Sequence, residues 1–282
     1  MIAPGEVAAA VLAACRADVE ALKPGNVGLH GDGHGMRAVD FSASAEAVAP
    51  AIAAPGLALG TRVLASIRAT TAVVDCNTNL GIVLLAAPLV HAAYLPSGSL
   101  RERVRCVLGA TTREDARAVY AAIRLARPGG LGAAPEHDVA GVPSVTLAEA
   151  MAAASGRDRI ALQYATGFDD LFDVCLPRLA QAWARGRDRL WSVTGCFLGI
   201  AARWPDTLIA RKFGAQAAEE VRQRFVAMEK QFEACENPER CRDQLQHLDI
   251  ELKRAGFNPG TSADFTVATL LAQQLGSLLQ LG

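Results

Sequence analysis

Residues 80–95, LGIVLLAAPLVHAAYL, carry no Asp, Glu, Lys or Arg. A segment that apolar on every side has no solvent face, so other elements have to wrap it. It falls short of the ~20 residues that a bilayer needs. Pro88 and His91 interrupt it as well. A buried central helix is therefore expected, and no membrane contact. Composition says what does the wrapping. Hydrophobic residues make up 51% of the 282 and aromatics only 5%. An aliphatic, alanine-rich chain favours close-packed helices, because strands are enriched in aromatic and β-branched residues.

Helical periodicity recurs along the chain. Val7, Leu12 and Val19 mark a first amphipathic segment, ended by Lys23-Pro24-Gly25-Asn26. Helices are then expected over 40–54, 57–72, 80–95 and 100–108, and from Thr111 to Ala126. Others are expected over 146–154, 158–185, 188–204 and 206–233, with a last one running from Pro259-Gly260 to about Leu279. Residues 214–254 are charge-dense and predict a solvated helical hairpin turning near Asn237-Pro238. Residues 127–145 hold four glycines and three prolines and read as a mobile loop, since long structureless loops in compact domains are often functional. The expected fold is all-α: a single-domain helical array over 1–282, of ten or more helices around the buried one.

The net charge of -1 gives no basic field, so nucleic acid is not an expected partner and a polyanion needs a local cation cluster. Seven scattered cysteines without a CxxC or a zinc spacing read as reduced core thiols of a cytoplasmic protein. No basic stretch precedes the first apolar residues, so no secretory signal is expected. The apolar helices leave room for a homodimer.

Three polar clusters interrupt this chain, each ahead of a helix. The first is Lys23-Pro24-Gly25-Asn26, with His30, Asp32 and His34 following. It is either a helix stop or an anion site in which an ammonium and exposed backbone N–H groups meet a phosphate. The second is Asp75-Cys76-Asn77-Thr78-Asn79-Leu80-Gly81. One or two of its side chains can cap the apolar helix, but four need partners, and a phosphate, ribose or base would supply them. The third is Asn258-Pro259-Gly260-Thr261-Ser262-Ala263-Asp264. Thr261 and Asp264 have capping-box spacing; alternatively Asp264 is a metal ligand or general base, with Thr261 and Ser262 near a phosphate. Arg211-Lys212 is either a helix-end dipole partner or a phosphate clamp. Asp169, Asp170 and Asp173 share a helix face that is either solvated or a magnesium site. There is no Walker A sequence, GxGxxG, HExxH or GxSxG.

In this order the clusters resemble the triphosphoribosyl-dephospho-CoA synthase family. The matching stretches are KPGNV at 23–27, the Asp-Phe-Ser-Ala-Ser-Ala run at 40–45, NTNLG at 77–81, TTREDARAVYAAIRLARPGGLG at 111–132 and GTSAD at 260–264. The resemblance implies a transferase. ATP loses adenine, and the 2'-hydroxyl of dephospho-CoA attacks the ribose C1'. Members established for that reaction typically read N-T-H-K-G where this chain reads Asn77-Thr78-Asn79-Leu80-Gly81. The family's H-x-D-M pattern stands here without its Asp, as His34-Gly35-Met36. The NTNLG form resembles a sister group of archaea and one-carbon-metabolising bacteria, so the acceptor is dephospho-CoA or another coenzyme precursor.

On that basis the expected ligands are ATP and Mg²⁺. Lys23, Gly25, Asn26, Arg211, Lys212, Thr261 and Ser262 would hold phosphates, and Asn77, Asn79 and Gly81 the ribose or base. Asp264 would act as base or metal ligand, and His34 as a second acid or base. The rival readings are an ATP-dependent kinase or ligase of one-carbon-carrier biosynthesis, and a non-catalytic helical nucleotide-binding protein.

Overall fold

A computed structural model describes residues 2–281. Its α-helices are α1 (Pro4–Glu20), α2 (Ala38–Ile52), α3 (Leu59–Thr71), α4 (Leu80–Ala93), α5 (Leu100–Gly109), α6 (Arg113–Ala126) and α7 (Leu147–Ala154). They continue with α8 (Arg159–Thr166), α9 (Leu176–Ala184), α10 (Arg189–Arg203), α11 (Thr207–Phe213), α12 (Ala215–Ala234), α13 (Arg242–Arg254) and α14 (Gly260–Leu281). Among the described residues there is no strand, only the isolated bridges Gly28–Gly31 and Gly33–Met36 in the loop after α1. The fold is all-α, as expected.

The local chemistry explains most boundaries. Ser99, Thr112 and Thr146 each accept a hydrogen bond from the backbone N–H three residues on, while Glu102, Asp115 and Glu149 reach back to complete capping boxes. Two boundaries differ from the periodicity. The run 158–185 is broken because Gly167 (φ 72°) and Phe168 (φ 66°) are left-handed, and a π-helical turn at Leu171–Cys175 precedes α9. The run 206–233 is broken at Gly214, whose φ of 93° no helix accommodates. In both places the apolar spacing is in phase across a glycine, so periodicity alone reads through it.

All of α4 except Gly81 and His91 is buried. It packs chiefly against α14, α5 and α3. A second apolar cluster lies around Phe197 of α10, Phe225 and Phe232 of α12, and Leu245 of α13. The charged segment forms α12 and α13, joined through a 3₁₀ turn at Pro238–Cys241 and tied by an Arg224–Glu251 ion pair. The seven cysteines are free thiols. Among the described residues no helix is long and apolar enough to cross a membrane.

Candidate active site

The three polar clusters converge. Asn26 donates from Nδ2 to Asn258 Oδ1 at 3.0 Å, joining the first cluster to the third across 232 positions of sequence. Gly25 N–H donates to Asp249 Oδ1 of α13 at 2.7 Å, fixing the turn from behind. Ser44 of α2 and Thr78 share a 2.6 Å hydroxyl contact that anchors the second cluster. Asn77 Oδ1 accepts from Leu80 N–H and caps α4, while Asn79 Oδ1 accepts from the Thr70 hydroxyl. The result is a cavity of about 350 Å³ whose wall includes Asn26, Asn77, Asn79, Thr261 and Asp264.

Asp264 lies in the first turns of α14 and packs against the start of α4. A Cβ at Gly81 would collide with its carboxylate and approach Ile160 Cδ1 to 2.9 Å, so only glycine leaves room for it. The capping-box alternative is not realised: Asp264 makes no hydrogen bond among the described residues. The neighbouring Asp206 instead caps α11 and accepts from Ser262 N–H and Oγ at 2.8 and 2.9 Å. Burial raises the Asp264 carboxyl well above the ordinary carboxylate range; Asp206 and Asp18 add to this, and Lys23 opposes it.

His34 enters from the loop after α1 in a left-handed conformation (φ 56°), followed by Gly35 at φ 75°. Its Nε2 lies 2.8 Å from Gly25 O. A carbonyl only accepts, so Nε2 carries the hydrogen and the neutral ring keeps its lone pair on Nδ1. Burial lowers the His34 pKa; the Gly25 carbonyl opposes this, and Lys212 and Lys253 reinforce it. His34 and Asp264, both lining this cavity, are thus driven toward their neutral forms.

The cations are arranged unequally. Arg211 lines the cavity but is tied to Asp158 at 3.4 Å and to Gly129 O at 3.2 Å. Lys212 and Arg127 also line it, and neither forms an ion pair among the described residues. Arg127 ends α6 with φ 49°, a left-handed turn that starts the Pro128-Gly129-Gly130 segment. Positive charge at the edge of a polar cavity walled by asparagines suits a polyphosphate.

The family model for ATP:dephospho-CoA triphosphoribosyl transferase matches residues 4–281. The chain belongs to this family. Its activity is that of the family, transfer of a triphosphoribosyl group from ATP. The transferase is also similar to the crystal structure of an Archaeoglobus fulgidus protein provisionally described as a triphosphoribosyl-dephospho-CoA synthase. The TM-score is 0.63 at 23% identity, covering 83% of this chain and 98% of that one. At that identity the likeness speaks to the fold. No curated protein matches the chain.

Several expected phosphate contacts of the transferase turn out otherwise. Lys23 does not line the cavity. Its ammonium is buried against Asp18 at 2.7 Å and donates to Asn26 Oδ1 at 2.7 Å, so it holds Asn26 and neutralises Asp18. Gly25 is spent on Asp249 and Ser262 on Asp206, as described. Thr261 does line the cavity, with its hydroxyl 3.1 Å from that of Thr207. The Asp169, Asp170 and Asp173 face is not a magnesium site: Arg101 binds Asp169 and Asp173 at 2.7 and 2.5 Å, and Arg159 binds Asp170 at 3.0 Å. Among the described residues no group of three or more His, Cys, Asp or Glu is placed to hold a metal.

Sequence reasoning passed over Arg127 and Asp18, and named Asn258 in the third cluster without giving it a role. Arg127 was legible in part, since Arg-Pro-Gly-Gly after an amphipathic helix marks a helix end. Asp18 was not, because an aspartate inside α1 looks solvated until its lysine is placed.

Proposed function

We propose that the transferase carries out ribosyl transfer in the cavity lined by Asp264, His34, Asn26, Asn77 and Asn79. The acceptor is dephospho-CoA or a coenzyme precursor of the same kind. The bond between ribose C1' and the adenine ring nitrogen breaks, and a bond from an acceptor hydroxyl oxygen to C1' forms. The transition state is oxocarbenium-like, as in glycoside cleavage, and needs a proton for the leaving group and a base for the nucleophile. Asp264, held protonated by burial and neighbouring carboxylates, gives its proton to the departing adenine. His34, neutral with its lone pair on Nδ1, takes the proton of the attacking hydroxyl. What supports this assignment is that both side chains line one cavity, with the His34 ring oriented by the Gly25 carbonyl, in surroundings that drive the acid's pKa up and the base's down.

Lys212 and Arg127 stand for the triphosphate, and Asn77 and Asn79 for the ribose or base. Magnesium, expected from the resemblance, finds no preformed cage among the described residues. Asp18 and Asp158 are neutralised by Lys23 and Arg211, and Asp264 is driven toward its neutral form. A cation at this site would therefore be held mainly by the triphosphate oxygens. The NTNLG sequence supports kinship with the sister group, and so a precursor related to dephospho-CoA as an alternative acceptor. Mass spectrometry of the product formed from ATP with 3'-dephospho-CoA, or with extracted coenzyme precursors, tests the reading. A mass gain of one triphosphoribosyl unit on the acceptor supports it; phosphorylated or adenylylated product overturns it in favour of a kinase or ligase.

A further inference from the structure

A second cavity, of about 680 Å³, adjoins the first. Leu84 of α4, Ile123 of α6, Leu131 of the 127–145 loop and Ile160 of α8 line both, as does the Asp158–Arg211 pair. Beyond this shared wall the second cavity runs between α6 and α7, against Val119, Leu147, Ala150 and Met151, and the loop closes its outer side. The loop is held there from α6: the Tyr120 hydroxyl donates to His137 O at 2.6 Å, and Arg124 donates to Val139 O. Asp138 stiffens it from within by accepting from Ala134 and Ala140 N–H at 2.5 and 2.7 Å. One loop thus supplies Arg127 to the polar cavity and the lid of the apolar one.

The two compartments differ in what they can hold. Polyphosphate would be desolvated against Val119, Leu147 and Met151, and of the arginines lining this cavity Arg159 and Arg211 are already tied to Asp170 and Asp158, so the exchange is unfavourable. Methylene groups gain from the same surface, and the exposed polar edge of Arg157 and the loop backbone can meet amides. Both volumes fall in the roughly 300–1,000 Å³ range of ligand pockets, so each can take one half of a long, two-part molecule or one of two substrates.

We infer that the apolar cavity holds the uncharged arm of the acceptor, a flexible chain of methylene and amide groups, while the nucleotide end of the acceptor reaches across the shared wall to the ribosyl-transfer site. This rests on the reading of the polar cavity given above. It assigns acceptor recognition to residues remote from the chemistry: Val119, Ala150, Met151 and the 133–139 part of the loop. It also gives the Asp158–Arg211 pair a place, at the crossing between the two compartments.

The test fills the cavity from either side, with Ala154→Phe on α7 and, separately, Ala133→Trp in the loop, each checked for folding by circular dichroism. Calorimetric titration then measures the Kd of 3'-dephospho-CoA and of ATP. Filling should weaken dephospho-CoA by about tenfold or more, the loss expected when two methylenes are excluded, and leave ATP within about twofold. Should both variants lose helical structure, the same titrations on Met151→Ala, which enlarges the cavity, must still show dephospho-CoA changing and ATP not. The inference is overturned if dephospho-CoA binds the folded variants as tightly as the unmodified protein, or if ATP weakens in parallel, which would make the cavity part of the nucleotide site. Adenine release is scored separately. Selective weakening of dephospho-CoA without adenine release from the unmodified protein would remove the transfer reading and leave the arm site standing.

Discussion

The carboxylate of Asp264 fills the space that a side chain at Gly81 would need, so the start of α14 and the start of α4 meet through one acid and one glycine. Gly81→Ala therefore acts on chemistry before stability. Alanine improves helix propensity by about 1 kcal/mol, but its methyl has to push Asp264 out of position. Turnover should fall by about a hundredfold, the usual consequence of misplacing a catalytic group by an ångström, while ATP affinity changes little. Steady-state kinetics beside a thermal melt checks this.

Asp264→Asn should stabilise the protein while abolishing turnover. The folded pKa of Asp264 is raised from its ordinary value near 3.8, so in that window the native state binds more protons than the unfolded chain. Stability therefore falls as pH rises from 3.8 through the raised value, and the amide variant escapes this loss. Melting curves across pH should show the variant gaining on the parent as pH increases; parallel curves would refute a carboxyl held protonated by its surroundings.

The pH profile of kcat/KM in the free enzyme should be bell-shaped. The acid limb belongs to His34, whose pKa is lowered from 6.5, so activity is retained until pH falls below that value. The alkaline limb belongs to Asp264, which must stay protonated. His34→Gln should remove the acid limb and cut kcat by about 10²–10⁴-fold.

Lys23→Ala is a stability lesion. The Lys23 and Asp18 side chains are 1% and 4% exposed, and removing the cation leaves a buried carboxylate alone, at about 3–5 kcal/mol. Adding Asp18→Asn should recover much of the loss. Denaturant unfolding of the single and double variants decides it.

Lys212→Ala and Arg127→Ala, in contrast, should leave the melting temperature nearly unchanged and raise the KM for ATP. Each charged contact is worth about 1.5–3 kcal/mol, or roughly tenfold to a hundredfold. The effect should shrink at high salt.

The helices were legible because amphipathic spacing and capping residues act locally: Ser99, Thr112 and Thr146 announce their own helix starts. The breaks at Gly167 and Gly214 were not, since apolar residues stay in phase on both sides of them. The convergence of the segments around Lys23, Asn77 and Asp264 followed from their polarity and from a family resemblance, never from spacing, and of the first segment it is Asn26 rather than Lys23 that faces the cavity. Lys23 shows the limit. An ammonium beside a Pro-Gly turn reads as a phosphate ligand until the fold turns it back from the loop after α1 onto Asp18 in the last turn of that helix. Asp264 and Ser262 show the same limit in reverse, because it is Asp206, far away in sequence, that takes the capping bonds.

The central claim is that Asp264 protonates adenine as it leaves ATP. Chromatographic measurement of adenine released from ATP in the presence of 3'-dephospho-CoA tests it most directly, run with the unmodified protein and with Asp264→Asn. The account predicts adenine in step with triphosphoribosylated product from the former, and a loss of at least about a hundredfold in the latter. Equal adenine release from both proteins, or ADP or AMP in place of adenine, would contradict it.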